Sequence, residues 1–130
     1  MTQHPHAVRL AKLYSDLIQG DFQAVTSACA DSMTFQVPGR SKLAGKYNRT
    51  AFVQEFAMRL RELSGGELKL EVHDILASDL HATVLGSYKL MRDGKPVELR
   101  TVHVWRFEGE KPLAGYEYPR DLYQYDSVWG

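Results

Sequence analysis

The stretch HATVLGSYKLMRDGKPVELRTVHVWRF, residues 81–107, decides the fold. Asp93-Gly94 is its hairpin signal, because both residue types accept the positive φ that a two-residue type I′ turn requires. With Arg92 opposite Lys95, Val84 falls opposite His103, Gly86 opposite Thr101 and Tyr88 opposite Leu99. Along residues 100–107 the side chains alternate, so Thr101, His103, Trp105 and Phe107 share one face, with Arg100, Val102, Val104 and Arg106 on the other. A histidine thus stands on an apolar face that Val84, Tyr88 and Leu99 extend. An unpaired buried polar group costs roughly 1–3 kcal/mol, so His103 requires a partner from elsewhere in the chain.

The next hairpin leaves two registers open. A two-residue type II′ turn at Gly109-Glu110 puts Tyr116 opposite His103 and turns Glu117 to the other face, where Arg100 or Arg106 would pair with it. A one-residue bulge, read at Ala114-Gly115 because glycine accepts unusual backbone angles, would bring Glu117 beside His103. Gly86 marks a bend or close approach within its strand, and is expected to leave space in the wall opposite Thr101.

Upstream, "LKLEVHDILAS" completes four antiparallel strands after Gly66. Before it, Leu10, Leu13, Tyr14 and Leu17 recur at helical spacing from just after Pro5 to Gly20. Asp21 caps a short helix reaching about Ala28. "MTFQVPG" has strand character, and Phe52, Phe56, Leu60 and Leu63 give a longer helix closed by "SGG" at 64–66. "GRSKLAGKYNR" between them reads as a solvated basic loop. The closing "GYEYPRDLYQYDSVWG", dense in Tyr and Trp, suits pocket closure or a subunit interface. The expectation is α+β, one domain over residues 1–130.

Composition narrows the function classes. With 130 residues, 44% hydrophobic and 11% aromatic, the chain can bury one real core. Sixteen basic residues balance sixteen acidic ones, which argues against nucleic acid as a partner. No apolar run approaches membrane-spanning length and "MTQHPHAVRL" lacks a signal-peptide core, so a cytoplasmic location is expected. The single Cys29 reads as a packing residue. His73-Asp74 with His81 lacks metal-site spacing, and no metal or cofactor is expected.

Three stretches together, "YSDLIQGDFQAVTSACADSMTFQVPG", "LAGKYNRTAFVQEFAMRL" and "TVHVWRFEGEKPLAGYEYPRD", resemble the SnoaL-like branch of the nuclear-transport-factor-like superfamily. The resemblance implies a cone in which three helices pack on a strongly curved, mainly antiparallel sheet enclosing an apolar pocket, often in a homodimer. It implies the acid/base pair of SnoaL-type polyketide cyclases at His103 and Glu117, a glutamate standing where the cyclases have aspartate. In the related ketosteroid isomerases the position matching His103 carries a carboxylic acid. Their general-base aspartate falls at Val37, which cannot accept a proton, and their helix tyrosine falls at Leu13, one position from Tyr14. Limonene-epoxide-hydrolase-like chemistry finds no matching Asp-Arg-Asp positions. Tyr14, Val37, Val84, Tyr88, Thr101, Trp105 and Asp121 are the expected substrate-binding residues, with Asp121 either at the pocket mouth or capping the terminal segment.

Two readings follow. In the first, a cofactor-independent enzyme of isomerase, cyclase or dehydratase type uses His103 and Glu117 to move a proton on a small hydrophobic, carbonyl-bearing molecule. In the second, a non-catalytic protein of the same fold binds an apolar ligand or dimerises through its sheet, whose outer face carries Leu85, Val102 and Val104.

Overall fold

The computed structural model describes residues 3–130. Helix α1 (Pro5–Gln19) begins with Pro5, whose missing N–H is no loss in the first turn, and ends at Gly20 with φ 82°. Helix α2 (Phe22–Ala28) is capped by Asp21, whose carboxylate accepts from the Ala24 N–H. Strands β1 (Thr34–Val37) and β2 (Gly45–Asn48) follow. The next helical body runs through α3 (Arg49–Ala51), a π-helical segment Phe52–Phe56 and α4 (Ala57–Leu63). A meander of β3 (Lys69–Ala77), β4 (His81–Arg92), β5 (Lys95–Glu108) and β6 (Lys111–Pro119) leads to α5 (Leu122–Trp129).

The sheet is curved and unclosed, ordered β2-β1-β6-β5-β4-β3, and every pairing is antiparallel except that of β1 with β6. Asp93 (φ 53°) and Gly94 (φ 76°) form the expected turn, and the predicted β4–β5 register holds at Val84–His103, Gly86–Thr101 and Tyr88–Leu99. Thr101, His103, Trp105 and Phe107 face inward and are buried.

The β5–β6 pairing contains the one-residue shift. Arg106 pairs with Ala114 but Phe107 with Pro112, so Leu113 is the extra residue and Glu117 lies opposite His103. The bulge thus precedes the Ala114-Gly115 position expected for it. Gly115 is needed for a different reason: a Cβ there would sit 2.5 Å from the Trp105 ring and 2.7 Å from that of Phe35. Gly86 is likewise a close approach rather than a gap, since its Cβ would meet the Glu71 carbonyl oxygen at 2.6 Å, next to a second bulge at His73.

Two further expectations change. The basic loop contains strand β2, an edge strand with only Tyr47 buried, so no alternation advertised it. A further helix, α5, joins the three expected ones and buries Tyr125 and Trp129 completely. The core continues through Leu10, Leu13, Phe35, Phe52 and Phe56. Cys29 is buried within it, and burial pushes its thiol up to about 11. Among the described residues no helix is long and apolar enough to cross a membrane.

Candidate functional site

The strand alternation and the Leu113 bulge set His103 and Glu117 side by side on the inner face. Glu117 Oε2 lies 2.9 Å from His103 Nε2. Both side chains are buried, at 4% and 2% residue exposure. Oε2 also accepts from the Thr101 hydroxyl at 2.8 Å and the Tyr88 hydroxyl at 2.9 Å. The other carboxylate oxygen, Oε1, accepts from Tyr125 at 2.6 Å. On the far side of the imidazole, the Tyr14 hydroxyl lies 2.5 Å from Nδ1 and receives the Trp105 indole N–H at 3.0 Å.

Counting donors and acceptors assigns the protons. Trp105 donates to the Tyr14 oxygen, so Tyr14 satisfies its own proton by donating to His103 Nδ1. The imidazole proton then sits on Nε2 and is donated to Glu117, with the Tyr88 oxygen at 3.1 Å as a lesser acceptor. Glu117 is left as an acceptor for all its neighbours, which requires the ionised form. Burial is the strongest single influence on that carboxyl and pushes it up. The positive charge His103 carries when protonated, with hydrogen bonds from His103, Tyr125 and Thr101, outweighs burial and holds it below the ordinary carboxylate range. Burial is also the main reason that the Tyr14, Tyr88 and Tyr125 hydroxyls are held well above theirs. All three remain neutral donors.

The arrangement is that of an imidazole held between a buried carboxylate on Nε2 and a buried tyrosine hydroxyl on Nδ1, in which Glu117 would stabilise a positive charge on the ring.

Of the residues expected to surround this pair, Tyr14, Tyr88, Thr101 and Trp105 join its hydrogen-bond network, and Val84 lies directly across the sheet from His103. Val37 is buried on β1, one residue beyond the Gln36–Tyr116 pair. Asp121 is elsewhere: it is exposed and caps α5 by accepting from the Gln124 N–H. Glu117 does not reach Arg100, which pairs with Glu98. Tyr125 was missed, since nothing local marks a C-terminal tyrosine as a carboxylate partner.

Side chains of Tyr14, Tyr88, Trp105, Tyr125 and Trp129 fill the interior around the pair. Open space lies to either side. An apolar cavity of about 630 Å³ runs between α1, α2, α4 and β3, walled by Leu17, Phe22, Phe56, Leu60, Leu68 and Leu70. A shallower groove of about 610 Å³ borders Val37, Gly39, Tyr116 and Glu117, although the Glu117 side chain is itself buried. Among the described residues no three His, Cys, Asp or Glu side chains are grouped to hold a metal ion.

Comparison with known proteins points the same way as the topology. The family described as SnoaL-like domain matches residues 10–112. Bal32a, from a soil-derived mobile gene cassette, is 26% identical with a TM-score of 0.87, each chain covered over 97% of its length. TerC, co-crystallised with polyporic acid, is 18% identical over 96% of this chain and 98% of its own, with a TM-score of 0.81. An NTF2-like protein of unknown function from Burkholderia pseudomallei is 19% identical over 98% of both chains, with a TM-score of 0.79. No curated protein matches the chain significantly.

Proposed function

Because the chain belongs to the SnoaL-like domain family, we propose that it is a cofactor-independent acid/base enzyme of isomerase, cyclase or dehydratase type. It acts on a small hydrophobic, carbonyl-bearing molecule, with His103 and Glu117 as the acid/base pair and Tyr14 holding the other ring nitrogen of His103. The observation that carries this reading is a completely buried carboxylate, Glu117, hydrogen-bonded to His103, Thr101, Tyr88 and Tyr125 inside the core. Replacing both partners of a buried polar contact by apolar groups of the same shape is often neutral or stabilising, so packing alone gives no reason to keep one there. Perturbed titratable groups of this kind gather at functional sites.

The second reading, ligand binding without chemistry, is favoured by one observation: the apolar cavity of about 630 Å³ includes neither His103 nor Glu117 in its wall. Proton exchange separates the two. Simple cyclic ketones serve as probes in deuterated buffer, with exchange at carbon followed by mass spectrometry. The acid/base reading expects exchange that His103→Ala abolishes. Binding without exchange across the probes supports the second reading. Under either, the half-buried Leu85, Val102 and Val104 with the exposed Tyr118 form an apolar outer face suited to a homodimer, and we place the protein in the cytoplasm. Sedimentation at micromolar concentration tests the dimer, and a monomer alone rejects it.

A further inference from the structure

We propose that α5 is a displaceable plug over the His103–Glu117 pair, and that a ligand entering this site takes over the positions of the Tyr125 hydroxyl on Glu117 Oε1 and of the Trp129 ring. The proposal deepens the reading above and rests on that pair being where the ligand goes.

The plug is inserted by two side chains. Tyr125 donates its phenol hydroxyl to Glu117 Oε1, which has no other hydrogen-bond partner among the described residues. Trp129 lays its ring edge-on to Tyr88 with centroids 6.0 Å apart, and to Tyr125 at 6.3 Å. Both are completely buried, while Leu122 and Tyr123 at the start of the helix are 42% and 91% exposed.

The fit is imperfect where it should be best. Among the described residues, the two buried side-chain polar atoms without a partner are Asp126 Oδ1 and Trp129 Nε1, and both belong to α5. Native cores rarely leave such groups unpaired, and an exception asks for an explanation. The remaining ties of the helix are few: the Arg40 N–H to Asp126 Oδ2, the Lys42 N–H to the Trp129 carbonyl and, from the end of β4, the Arg92 guanidinium to the Val128 carbonyl. Open space already reaches its flank, because the groove bordering Glu117 also borders Gly39, which packs on Asp126.

The plug also describes what replaces it. Withdrawing Tyr125 and Trp129 leaves an ionised carboxylate oxygen lacking a donor, beside the ring of Tyr88 and in an apolar surround. A ligand that restores both interactions needs an acidic hydroxyl for Oε1 and a flat aromatic body for the space of the indole. A carbonyl compound supplies such a hydroxyl in its enol form, which ties this ligand class to proton transfer at the same pair.

The test uses 2-naphthol, with naphthalene as the probe lacking a hydroxyl. Trp129→Ala in the full chain is expected to bind 2-naphthol at least tenfold more tightly than the wild type, by calorimetry, and naphthalene with no comparable gain. Adding Glu117→Gln is expected to remove the gain. Equal 2-naphthol affinity in wild type and Trp129→Ala, or a gain that survives Glu117→Gln, overturns the proposal and points to the cavity beside α4. Should Trp129→Ala fail to fold, hydrogen exchange on the wild type decides: α5 amides are expected to exchange at least a hundredfold faster than those of β5. Exchange of α5 only together with β5 overturns the plug. A variant that binds 2-naphthol as expected but exchanges no proton on any carbonyl probe leaves the plug standing and rejects the acid/base reading.

Discussion

Glu117 receives four donors and has none to give, and that asymmetry makes its replacement informative. Glu117→Gln keeps the shape but points an NH₂ at groups that themselves donate, leaving buried donors unpaired. A loss of about 1–3 kcal/mol for each stranded donor is expected in urea unfolding. The acid limb carries a second signature. A carboxyl held below 4.5 in the folded state adds stability that is full above that value and is lost as pH falls through its lowered folded value. The wild type should therefore shed stability across that window, and the glutamine variant should lose correspondingly less there. Tyr14→Phe strands the other end of the network. It leaves the Trp105 N–H and His103 Nδ1 unpaired, at about 1–3 kcal/mol for each buried group. The same variant is expected to shift the Trp105 indole proton in the NMR spectrum, and an unmoved resonance would contradict the wiring.

At the scale of elements, the bulge in β6 decides what the site contains. Deleting Leu113 removes only the unpaired residue, so Arg106 stays opposite Ala114 and Glu117 opposite His103, now without a bulge. Both the deletion and Leu113→Ala, which keep the register, are expected to melt cooperatively, and a deletion variant without a cooperative transition would contradict the assignment of Leu113 as the extra residue. Gly86→Val makes the complementary point about β3. Its new Cβ meets backbone rather than a cavity, so a loss toward the upper end of the 1–3 kcal/mol typical of overpacking is expected in thermal melts. These elements also mark how far local sequence could be read. Asp93-Gly94 carried the β4–β5 register outright, because that turn type admits few residues. The inward face of His103 followed from alternation alone. Glu117 could be placed only conditionally, since Leu113 suits a paired and an unpaired strand position equally well. Gly115 drew attention as a flexible residue when its role is to admit Trp105 and Phe35. Tyr14 was placed among the lining, but no pattern within one helix shows that its hydroxyl reaches a strand eighty-nine residues away. β2 and α5 were missed because one buries too little to alternate and the other is recognised by what it covers.

For the whole molecule, the parallel pairing of β1 with β6 brings together residues eighty apart, Thr34 and Ala114, in the interior of the sheet. The meander β3–β6 is joined by short turns and needs no such closure. Contacts of long sequence separation must meet their loop-closure entropy before they return anything, so they tend to form late. The order of assembly follows: the hairpins carrying His103 and Glu117 condense first, and β1 docks on a sheet already built. Phe35, completely buried on β1 and close to the Phe52, Phe56, Trp105 and His103 rings, reports this step. Phe35→Ala is expected to cost about 3–5 kcal/mol. Nearly all of it should appear as faster unfolding, with the refolding arm of the chevron little changed. His103 and Glu117 would then meet in the folding chain before Phe35 covers them, so that for a brief interval in every molecule's history the carboxylate stands open to water.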